Sequence, residues 1–301
     1  SSSSSSSSFR RRATRNATLF VGGGYFHCDN ATSVLVFYPD DATRYPLVAF
    51  APGDLEHEAG WGVESRYAPF LRTIAERGFV VAAPLSDGGW CAAAPYDQQL
   101  VIRLARGDHP HNTSAFWRAR VDLARGVGLL GVSMGGLAAI DNAARLPDVA
   151  AAVAVAPFWD GRHAMLRELG ADPMRRVACP TMLVLGGDDT WVPPSFGRAL
   201  YARLPSVVPR AYAVVDGYVH HTIRASPTAA LATAAFFACI IMPAQDDAVT
   251  HSECRVMERA FAVANTTSSS SLPASDDAVR RQPPLGLALE PGVYETASLP
   301  P

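Results

Sequence analysis

Short apolar runs alternate with longer amphipathic stretches through most of the chain. Residues 33–38, 47–51, 79–83, 126–130, 149–156, 181–185 and 211–215 are nearly continuous in apolar character, the pattern of strands buried on both faces. Between them, residues 67–77 place Phe70, Leu71, Ile74 and Ala75 at helical spacing and stop at Gly78. Residues 95–106, 115–124 and 195–204 read as further helices, and 229–242 as a buried one. Apolar strands separated by amphipathic helices predict an α/β domain with a mostly parallel central sheet and helices on both faces. Both ends break the pattern: a serine homopolymer and an arginine cluster open the chain, and a serine run with scattered prolines closes it. The expected organisation is a disordered tail over 1–16, one domain over 17–262 and a second disordered tail over 263–301.

Composition narrows the chemistry. The 301 residues, 49% of them hydrophobic, suffice for one substantial core. A net charge of −2 offers no basic stripe for nucleic acid. No lysine occurs, so all 26 cationic side chains are arginine, which excludes Walker-type phosphate loops, Schiff-base chemistry and serine–lysine dyads. The longest apolar stretch, 229–242, falls short of the ~20 residues that span a bilayer, so no stable membrane insertion is expected. Five cysteines without a C-x-x-C pair argue against a zinc or redox centre, and Asp108-His109-Pro110-His111 lacks the helical spacing of a metal site. Sequons at Asn16, Asn30, Asn112 and Asn265 point to a secreted glycoprotein of an oxidising compartment. With neither methionine nor an apolar signal segment at its start, the sequence reads as a mature or truncated form.

The chemistry centres on Gly131-Val132-Ser133-Met134-Gly135. A G-x-S-x-G between a buried strand and a helix is a nucleophile elbow, a turn so tight that bulk is excluded two residues either side of an exposed serine. A serine hydroxyl is a poor nucleophile until a histidine takes its proton, and that histidine needs an acid to fix its tautomer. In chain order the acid and the histidine should follow on loops after later strands. Asp188 and Asp189 follow the strand at 181–185; His220 and His221 follow the strand at 211–215. On the residues alone both pairs stay open, with His220 preferred. An oxyanion hole also needs a backbone N–H from the loop after an early strand, and Pro52-Gly53-Asp54 offers that of Asp54.

The elbow region 121–136, together with segments 45–53, 77–82 and 186–193, resembles the cutinase-like polyester hydrolases and the dienelactone-hydrolase-like esterases of the α/β-hydrolase superfamily. The layout is also similar to that of plant chlorophyllases. The resemblance covers about 33–239 and implies the α/β-hydrolase fold. It selects Asp189 through Pro193 four residues on, and His220 through Gly217 three residues before it. It assigns the oxyanion donors to the N–H groups of Met134 and Asp54. It makes Trp159 a candidate substrate contact, with a core tryptophan as the alternative, and it implies a Cys239–Cys254 disulfide.

The expected activity is serine hydrolysis of carboxylic esters through a Ser133, His220 and Asp189 triad and an acyl-enzyme intermediate. No cofactor is required, and a small-molecule or polymeric ester is the substrate of a monomer. A chlorophyllase-like or polyester-cleaving role is the alternative within enzymes; a non-catalytic binding module is the alternative outside them. The absence of a long insertion before the histidine favours an open cleft, although 85–117 is placed to fold over it.

Overall fold

A computed structural model of the chain describes residues 12–20, 33–53, 61–85, 94–109, 114–158, 172–242 and 254. Eight strands form one sheet: β1 (Thr14–Phe20), β2 (Ser33–Pro39), β3 (Leu47–Ala51), β4 (Val80–Leu85), β5 (Val127–Val132), β6 (Val149–Val155), β7 (Thr181–Gly186) and β8 (Arg210–Val215). Their order is β1-β2-β4-β3-β5-β6-β7-β8. From β4 onward every neighbouring pair is parallel, while β2 runs antiparallel to both β1 and β4.

The apolar runs become strands because both sheet faces are covered. On β5, Leu130 and Val132 point into one core layer and Val127 and Leu129 into the other. Helices α1 (Trp61–Ala75) and α6 (Pro227–Ile241) cover the first face. Helices α2 (Ala94–Arg106), α3 (Ser114–Arg120), α4 (Met134–Arg145) and α5 (Pro194–Tyr201) cover the second. Within 85–117, Leu100, Leu104 and Trp117 pack on that second face, in one layer with Ile140 and Ala143 of α4. Among the described residues no helix is long and apolar enough to cross a membrane.

Three boundaries differ from the sequence reading. Strand β1 reaches into the expected 1–16 tail, since Thr14, Arg15 and Asn16 pair with Pro39, Tyr38 and Phe37. Those side chains are exposed or half-buried, so the backbone ladder rather than apolar burial orders them. Helix α1 starts at Trp61 rather than at residue 67, with Pro69 in its interior. Pro69 and Ser65, the residue whose carbonyl loses its bond to Pro69, are both exposed, so the defect lies on the solvent side. The helix expected over 115–124 stops at Arg120, and Asp122 caps a 3₁₀ turn over Leu123–Arg125 by accepting the Ala124 N–H.

Candidate active site

The elbow joins the end of β5 to the start of α4. Ser133 has φ 56° and ψ −120°, a conformation that costs energy for any residue with a side chain. The surroundings enforce it. A Cβ on Gly131 would overlap the Gly135 carbonyl, and one on Gly135 would overlap the Ala51 carbonyl at the end of β3. The Ser133 N–H donates to Val155 O at 2.8 Å and the Ser133 carbonyl accepts from Phe158 N–H at 3.0 Å, so the end of β6 grips the turn from both sides. Ser133 occupies the N-cap position of α4 but makes no side-chain cap bond.

Its hydroxyl turns instead to histidine. Ser133 Oγ lies 2.9 Å from His220 Nε2, and His220 Nδ1 lies 2.9 Å from Asp189 Oδ2. The loops carrying the two partners are stitched together: Gly187 N–H donates to Val215 O at 2.9 Å and Asp188 N–H to Tyr218 O at 3.1 Å. Gly217, at φ 77°, takes the left-handed turn after β8 that leads back to the site. Asp189 is buried, and its Oδ1 accepts the backbone N–H groups of Trp191 and Val192, each at 2.8 Å. With Asp189 ionised, the arrangement fits one tautomer: Nδ1–H donates to the carboxylate and Nε2 accepts from the serine hydroxyl.

The alternatives separate by position. Asp188 is exposed and serves the turn through its backbone. His221 is also exposed, and its ring packs edge-on against Trp191 at 4.5 Å rather than reaching Ser133. Partial burial lowers its pKa; His220 and Arg224 push the same way and Asp189 opposes them.

Met134, the first residue of α4, carries an N–H that the helix itself cannot pair, at the positive end of the helix dipole. Gly53 sits against the nucleophile: a Cβ there would stand 3.0 Å from Ser133 Cβ. Its N–H donates to the hydroxyl of Tyr67 at 3.2 Å. Asp54 and Trp159 lie outside the described residues. The sequence pattern marks neither Tyr67, at the start of a predicted helix, nor Trp191 as a site residue. The indole of Trp191 is stacked on His220, with centroids 5.3 Å apart and planes 26° from parallel. The available signal for Trp191 was a large aromatic two residues after the acid, in a loop.

Among the described residues no group of three or more His, Cys, Asp or Glu gathers to hold a metal. A disulfide joins Cys239 at the end of α6 to Cys254, with Cα atoms 5.1 Å apart, as the resemblance implied.

No protein-family model matches the chain. Cutinase 1 of Thermobifida cellulosilytica is 27% identical over 186 residues, covering 62% of this chain and 64% of that protein. Cutinase 2 of the same organism is 26% identical over 196 residues, covering 65% of this chain and 68% of its own. A cutinase of Thermobifida fusca (strain YX) is 27% identical over 186 residues, covering 62% of this chain and 56% of that enzyme. The chain therefore matches between about half and two thirds of the length of these curated relatives. The mostly parallel eight-stranded sheet, covered by helices on both faces, is the α/β-hydrolase fold, and over about two thirds of its length the chain is similar to these cutinases.

Proposed function

We propose that this protein is a serine esterase that cleaves carboxylic esters by acyl transfer. The observation that carries the reading is the continuous line from Ser133 Oγ through His220 to Asp189, with both links at 2.9 Å and the serine held on a strained elbow. Ser133 Oγ attacks the ester carbonyl while its proton passes to His220 Nε2, and Asp189 stabilises the resulting imidazolium. The Met134 and Asp54 N–H groups receive the developing oxyanion. The C–O bond to the alcohol then breaks, and the Nε2 proton leaves with the alcohol. Water, deprotonated by the same nitrogen, attacks the acyl-Ser133 carbonyl; the acyl C–O bond to Oγ breaks, Nε2 returns its proton to Ser133 Oγ, and the acid is released.

Polymeric esters are the favoured substrates within this class. The relatives are named cutinases.

Hydrolysis of p-nitrophenyl esters of increasing acyl length, beside Ser133→Ala and His220→Ala, tests the reading. Turnover abolished in both variants supports it, and the chain-length optimum bounds the acyl pocket. A folded protein with no turnover on any ester overturns it in favour of a binding module. Activity kept in His220→Ala but lost in His221→Ala would reassign the base.

A further inference from the structure

Trp191 is 61% exposed, whereas His220, beneath its indole, is 7% exposed. One face of the indole covers the imidazole and most of the remaining surface meets solvent. The stack is anchored from below: the backbone N–H of Trp191 donates to Asp189 Oδ1, and Asp189 Oδ2 binds His220 Nδ1, so one carboxylate positions both rings. Phe158 meets the imidazole from another side, edge-on at 6.2 Å, and His221 closes the group, edge-on to both Trp191 and His220.

In the free state the imidazole is held at both nitrogens, by Asp189 and by Ser133. That changes during the reaction proposed above. Once Ser133 Oγ is acylated it has no proton to donate, and Nε2 loses its protein partner until water arrives. The ring must then keep its plane without the serine bond. It carries a positive charge after each proton transfer, and an aromatic face attracts such a charge.

We propose that Trp191 is a positioning residue for His220, its stacked indole keeping the imidazole in the plane that joins Asp189 to Ser133 and favouring the imidazolium formed at each proton transfer. The inference rests on the esterase reading for its catalytic consequence, but the stack itself has a consequence that needs no turnover.

The test compares Trp191→Phe, which keeps an aromatic face, with Trp191→Leu, which keeps apolar cover without one. Titration of His220 by histidine NMR comes first. The charged groups that act on the neighbouring His221 are His220 and Arg224 after β8, Asp189 after β7, and Arg66 on α1. The titrations are therefore repeated in a His221→Gln background, which removes the neighbouring imidazole. The expected result is a His220 midpoint at lower pH in Trp191→Leu than in Trp191→Phe, with the latter near the parent. Ester kinetics come second: Trp191→Leu lowers kcat about tenfold for short and long acyl chains alike, leaves KM within about twofold, and is rescued by Trp191→Phe. An unchanged His220 midpoint in Trp191→Leu overturns the proposal. So does a rise in KM that grows with acyl length at constant kcat, the signature of a substrate wall. A shifted midpoint in a parent without ester turnover would leave the stack standing and defeat the esterase reading alone.

Discussion

Replacing Asp189 with asparagine separates orientation from stability. Asp189 accepts three hydrogen bonds: two backbone N–H groups on Oδ1 and His220 Nδ1 on Oδ2. The backbone fork dictates how an asparagine would sit, because only its carbonyl oxygen can receive the N–H groups of Trp191 and Val192. The amide NH₂ is thereby aimed at His220 Nδ1, which must become an acceptor. The imidazole proton then moves to Nε2, facing Ser133, where no lone pair remains to take the serine proton. The geometry is kept and the chemistry is lost, so kcat should fall about 10⁴-fold, the scale on which a wrong histidine tautomer acts. Stability should change little, since both backbone bonds survive. Asp189→Ala is the contrast: it strips the partner from the N–H of the buried Val192. An orphaned buried donor costs about 1–3 kcal/mol, so this variant should lose activity and melting temperature together. Steady-state hydrolysis of p-nitrophenyl butyrate and thermal denaturation read out both quantities. An Asp189→Asn protein retaining more than about a tenth of the parent kcat would refute the orienting role of the carboxylate.

Three further outcomes follow from the packing. Gly135→Ala sets a Cβ against the Ala51 and Pro52 carbonyls, backbone groups that cannot swing aside. It should destabilise by the ~1–3 kcal/mol of overpacking or more, and, by shifting the elbow against β3, cut ester turnover about 100-fold. Melting curves and activity of the purified variant check both. For His221 the lowered pKa means that the unfolded chain binds its proton more readily than the folded one, so its effect on stability is harmless above an ordinary histidine pKa of about 6.5 and destabilising as pH falls below it. His221→Gln should therefore flatten the acid-side decline in melting temperature while keeping ester turnover at pH 8 within about threefold of the parent. Cys179 is buried and its thiol is pushed up to about 11, mainly by desolvation. Alkylation at pH 8 followed by peptide mapping should leave it unmodified in the native protein and labelled after denaturation.

The elbow and the order of its partners were legible because each is written in local chemistry. Gly131 and Gly135 flank a serine between an apolar run and a small-residue helix, and the acid and histidine each follow a recognisable strand. What the sequence could not display depends on contacts between distant segments. Strand β1 was missed because Thr14, Arg15 and Asn16 gain their order from β2, not from burying themselves. The Tyr67 hydroxyl meets the Gly53 N–H across 14 positions, and a helix-start reading carries no hint of it. The stack of Trp191 on His220 depends on how two loops face each other across the ends of β7 and β8. The choice between His220 and His221 is of the same kind: adjacent residues in a tight turn point apart, and only the turn through Gly217 decides which one reaches the serine.

Whether Ser133 is an activated nucleophile is read most simply from reaction of the native protein with a fluorophosphonate, followed by peptide mapping. An activated Ser133 predicts one rapid adduct, on Ser133, that does not form when the protein is unfolded before the reagent is added and is nearly absent in His220→Ala. A folded protein that forms no adduct, or one labelled on a different serine while Ser133 stays free, would contradict it.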